Sequence, residues 1–72
     1  MGKFSESQKY QIQSVKNHIE LHKERLYDAR MGMTHARIQK DKVSMENYRQ
    51  VIKSIKYAIY SQKHELAQIK TL

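Results

Sequence analysis

The chain is 72 residues long, room for at most one domain and near the size at which a lone core becomes marginal. It has no cysteine, which excludes disulfides and thiolate-bound zinc, and no proline, with glycine only at Gly2 and Gly32, which argues against a many-stranded fold with tight turns. Fourteen Lys and Arg against seven Asp and Glu leave a net charge of +7, a field that favours polyanions such as nucleic acid, anionic lipid or an acidic protein surface.

The start, Met1-Gly2-Lys3-Phe4-Ser5-Glu6, lacks the apolar stretch of a secretion signal, and Glu6 stands where a myristoylation pattern needs Ser or Thr. A cytoplasmic location is therefore expected, and no apolar run reaches the ~20 residues of a spanning helix. Ser5, with Gln8 three residues on, forms a capping box that opens helix 1. Ile12, Val15, Ile19, His22, Leu26, Ala29, Met33 and Ala36 then follow in alternating steps of three and four, the mark of a coiled-coil-like seam. Helix 1 is predicted at about 5–38.

A second series, Met45, Tyr48, Ile52, Ile55, Ile59, Gln62, Leu66 and Ile69, has the same period in a different phase. The jump predicts a turn at about 39–43 and helix 2 at about 44–71, capped by Ser44, with Val43 stapled onto Tyr48. A rival break at Gly32-Met33-Thr34 is less favoured, because the first seam runs through Met33 and Ala36 undisturbed. The expected fold is all-α: a single helical-hairpin domain over 1–72, its two helices antiparallel and coiled-coil-like.

The charges are ordered too. Lys9, Lys16, Lys23, Arg30 and Arg37 are seven apart, as are Lys42, Arg49, Lys56, Lys63 and Lys70. With the first member of each apolar series at heptad position a, all ten fall at e, beside the seam. A parallel pairing would oppose them to g residues, of which only Glu65 is acidic. In an antiparallel hairpin the two stripes merge into one basic ridge, whose lysine stems can snorkel over the seam. On the opposite flank Val51 and Ala58, beside Ile52 and Ile59, widen the apolar face of helix 2. These four are the expected interface of a homodimeric four-helix bundle.

Other residues carry weaker signals. His18 and His22 have a spacing that could hold a metal, but no third ligand is evident, and a partly buried His22 beside an exposed His18 is the expected reading. No phosphate loop, nucleophile–base set or catalytic carboxylate pair is present, so neither enzymatic activity nor a cofactor is expected. Tyr10, Tyr57 and Tyr60 face outward, where they could stack on bases or serve as ordinary surface residues. Met31, His35, Ile38 and Val43 form an apolar cluster off the seam near the tip, and Leu21 is likewise misplaced for a core.

The plan, not the sequence, is similar to that of small RNA-binding hairpins that dimerise into four-helix bundles. The expected function is a non-enzymatic protein contacting nucleic-acid phosphates, RNA or DNA, through the ridge. The alternative is an inhibitor or adaptor of the kind carried by phages and mobile elements, docking on an acidic or nucleic-acid-binding surface of another protein. A purely solubilising ridge is the plainer reading of such a charge run. A membrane-surface role ranks last, because the outward faces lack a strong aromatic–apolar stripe.

Overall fold

A computed structural model describes residues 4–71 of the chain; residues 1–3, read above for targeting signals, and residue 72 lie outside them. Two helices, α1 (Glu6–Ile38) and α2 (Lys42–Lys70), pack against each other along their length as a hairpin. The described residues contain no strand. The rod measures 55 × 16 × 14 Å, the length expected of a 33-residue helix at ~1.5 Å per residue plus its turn.

The start of α1 is as its sequence dictates. Ser5 Oγ accepts from the Gln8 N–H at 3.1 Å, and Gln8 Oε1 accepts from the Ser5 N–H at 3.0 Å. Two otherwise orphaned amides are satisfied in one exchange. The Gln8 side-chain amide also donates to the Ile69 carbonyl of α2 at 3.2 Å, clasping the open end of the hairpin and fixing the helices as antiparallel.

The turn differs from expectation in detail. Only Gln39, Lys40 and Asp41 separate the helices. The Lys40 N–H donates to the Arg37 carbonyl at 3.1 Å and the Asp41 N–H to the Ala36 carbonyl at 2.9 Å, the paired bonds of a Schellman motif. That motif puts its pivot in the left-handed region, and Lys40 has φ 56°, a conformation glycine adopts without the strain of a Cβ. Asp41 then caps α2, its Oδ1 accepting from the Ser44 N–H at 3.1 Å and its Oδ2 from the Ser44 hydroxyl at 2.7 Å. Those two bonds, the hydroxyl foremost, hold the Asp41 carboxyl below the ordinary carboxylate range. The stabilisation they provide is present above that range and lost as pH falls through the lowered value. Ser44 is thus the third residue of the helix, not its cap, because a carboxylate three residues upstream is the stronger acceptor. The Val43–Tyr48 staple fails with it: Val43 is 73% exposed.

Both apolar series lie where the periodicity puts them, every member buried or half-buried. Ile12, Val15, Ile19, Ile59 and Ile69 form the core towards the open end, with Phe4, Leu26, Ile55 and Leu66 packed against it. Nearer the turn the packing is small against large. Ala29, Gly32 and Ala36 of α1 stand level with Ile52, Tyr48 and Met45 of α2. Gly32 is no cap; a Cβ there would lie 2.4 Å from the Tyr48 ring, so glycine is what lets that ring reach the α1 backbone.

Gln62 is the polar break in the α2 seam. Its Oε1 is buried, and no donor among the described residues reaches it. An acceptor without a partner destabilises the fold, whereas leucine would suit this seam position. Gln62→Leu should raise the free energy of unfolding by about 1 kcal/mol, read as a higher urea midpoint at unchanged slope and matched protein concentration. A lower midpoint would mean that the amide has a role in holding the hairpin.

Candidate polyanion-binding ridge

All ten heptad-spaced cations are exposed. The turn lies midway between Arg37 and Lys42, and both runs step by seven, so the stripes come level pair by pair: Lys9 with Lys70, Lys16 with Lys63, Lys23 with Lys56, Arg30 with Arg49, Arg37 with Lys42. The Gln8–Ile69 clasp at one end and the Gly32–Tyr48 contact nearer the other fix this alignment independently. Successive pairs are roughly 10 Å apart along the rod. Between them runs an open groove. One stretch of it, about 480 Å³, is lined by Lys16, Lys23 and Lys63, with Ile19 and Leu66 at its base and Gln13, Asn17 and Glu20 along one edge.

Three ridge cations are matched by a glutamate of their own helix, three residues earlier: Lys9 with Glu6 at 3.7 Å, Lys23 with Glu20 at 3.6 Å, and Arg49 with Glu46. Looking for partners across the seam misses these pairs; the i, i+3 spacing along each helix is the signal that finds them. Being exposed, each contributes only a few tenths of a kcal/mol. Lys16, Arg30, Arg37, Lys42, Lys56, Lys63 and Lys70 make no ion pair among the described residues. Their mutual repulsion would be relieved by an anion laid along the groove.

The opposite flank is nearly uncharged. Its g and c positions carry Arg25 against Asp28 and Glu65, with His18 and His35 among serines, glutamines, an asparagine and apolar residues. Val51 is 45% exposed there and Ala58 half-buried, while Ile52 is half-buried and Ile59 is buried in the core of the single hairpin. Of the four residues expected at an interface between copies, Ile59 is thus already used within one chain.

His22 Nδ1 lies 3.2 Å from the His18 carbonyl oxygen, to which it donates in the tautomer protonated there. The ring is turned onto its own helix. No group of three or more metal-ligating side chains occurs among the described residues. No helix of the described residues is long and apolar enough to cross a membrane. Tyr10, Tyr57 and Tyr60 are exposed, and so is Tyr27, which the sequence reading passed over.

Comparison with protein-family models, with curated proteins and with solved structures finds no match to this chain.

Proposed function

We propose that this hairpin is a non-enzymatic nucleic-acid-binding protein whose ridge tracks phosphates with little base specificity. The carrying observation is the level pairing of ten exposed cations along one flank, seven of them without an ion pair among the described residues, while the opposite flank is close to neutral. Solubility alone would be served by charges spread around the rod. The test is the salt dependence of binding to duplex nucleic acid. If about five phosphates are engaged, log affinity falls against log salt with a slope near −4.5. A chain that binds no nucleic acid at low salt would end this reading and leave the docking of an inhibitor or adaptor on a protein partner.

The same reading includes a homodimer. A compact monomer of 8.6 kDa exposes roughly 4,700 Å², whereas this chain exposes 5873 Å². The excess is about what one partner gives up in a stable interface, roughly 800 Å² or more. The near-neutral flank can meet its own copy without repulsion, which would leave a basic ridge on each outer side of a four-helix bundle. Sedimentation should give twice the chain mass at micromolar concentration, and Val51→Glu with Ala58→Glu should return the monomer with its helix content intact. Ile59→Asp would not separate assembly from folding, because it buries a charge within the hairpin itself. A well-folded wild-type monomer at high concentration would refute the dimer.

A further inference from the structure

Two of the exposed tyrosines belong to the ridge. Tyr27 stands four residues after Lys23 and three before Arg30; Tyr60 stands four after Lys56 and three before Lys63. Residues three and four apart share a helix face, so each ring stands in a row with two ridge cations. Both occupy heptad position b, as do Gln13 and Glu20, which line the ridge groove alongside Lys16 and Lys23. The b positions of α1 thus border the basic groove; those of α2, Tyr60 among them, hold the same register beside the α2 stripe, while the α2 residues lining the stretch described above are Lys63 and Leu66. Tyr27 is 64% exposed and Tyr60 72%. Among the described residues neither makes a side-chain hydrogen bond or ion pair that would hold its ring against the protein.

The two rings do not face each other. Measured from the turn, Tyr60 lies level with the α1 residues near Glu20, so Tyr27 is about one heptad closer to the tip, roughly 10 Å along the rod. Between their levels stand Lys23 and Lys56, with Lys63 just beyond Tyr60 on the side away from the turn. A flat aromatic surface on each edge of a cationic channel is the arrangement that holds a single strand, with phosphates in the channel and unstacked bases laid on the rings. A duplex keeps its bases inside and gains nothing from such rings.

Resting on the phosphate-ridge reading, we infer that the ligand is single-stranded or looped nucleic acid, with Tyr27 and Tyr60 each stacking one base. Duplex then binds by phosphate contacts alone. Stacking on an aromatic side chain is sequence-tolerant, since every base presents a π-face, so this preference concerns strandedness and not sequence.

The experiment measures fluorescence anisotropy of two labelled probes, an oligothymidylate of about 12 nucleotides and a duplex of the same length, against the full chain. Tyr27→Leu and Tyr60→Leu should each weaken oligothymidylate binding about tenfold, and together about a hundredfold, with duplex binding unchanged. Tyr27→Phe and Tyr60→Phe should retain the affinity, because the ring does the stacking. Tyr57→Leu, an equally exposed tyrosine outside the ridge rows, should have no effect. Unchanged oligothymidylate affinity in the double leucine variant, or equal losses on both probes, would overturn the stacking role while leaving the ridge intact. Failure of the wild-type chain to bind either probe at low salt would overturn the ridge itself.

Discussion

Replacing Lys16, Lys23, Lys56 and Lys63 by glutamine should reduce the salt slope of nucleic-acid binding from about −4.5 to about −1. A slope of −4.5 means that a fourfold rise in salt weakens the wild-type chain about 500-fold; the variant should lose only a few-fold over the same range. At low salt the variant should bind far more weakly than wild type, and by a similar factor on every sequence, because phosphates carry no sequence information. These four lysines form the two central pairs of the ridge and are exposed, so circular dichroism should show helix content unchanged. The control adds lysine at Tyr10, Gln50, Tyr57 and His64, exposed positions on the outward faces away from both the ridge and the near-neutral flank, to the glutamine variant and restores the net charge. If that chain binds as wild type does, the alignment of the stripes is irrelevant and bulk charge explains the affinity.

The second large effect is expected in the core. Gly32→Ala should destabilise the hairpin by about 1–3 kcal/mol, the usual range for forcing a group into an occupied site. In an exposed helix interior the same change would stabilise by about 1 kcal/mol, since glycine is a poor helix former. The reversal comes from Tyr48, whose ring carbons and hydroxyl lie 2.4 to 2.7 Å from where the new methyl would sit. Gly32→Ala introduced into Tyr48→Ala should therefore be stabilising, and the coupling between the sites should approach the sum of both effects. A destabilising Gly32→Ala in both backgrounds would mean that backbone flexibility, not the ring, requires glycine here.

Gly32 also shows why the sequence was legible in some places and not in others. The two apolar series predicted burial along the whole seam, because a period alternating three and four leaves little choice of face. The level pairing of the charges followed from the same arithmetic once the helices were antiparallel. A glycine, by contrast, signals either a cap or a close approach, and only the position of Tyr48 on the other helix decides between them. The turn was misread by two residues for a related reason. Its left-handed pivot is Lys40, with no glycine to mark it, and the cap was assigned to Ser44 when it is Asp41, three residues earlier, that caps the helix. Tyr27 was missed because its meaning lies in its spacing from Lys23 and Arg30, which matters only once the ridge is a groove with edges.

Asp41 bonds in both directions: its amide completes the end of α1, and its carboxylate starts α2. The consequence concerns the order of folding. With this one residue in place the chain is already reversed, and each further layer of the seam extends a loop that is nearly closed, so the entropy of closure is met in small increments rather than at once. Such a chain is expected to zip from its tip, in the fast regime of proteins whose contacts form between progressively neighbouring layers. Opening runs the other way. On this order the Gln8–Ile69 clasp should be the last link to form and the first to fray, and stopped-flow kinetics should show substitutions around Lys40 and Asp41 slowing folding and those near Ile12 and Ile69 speeding unfolding.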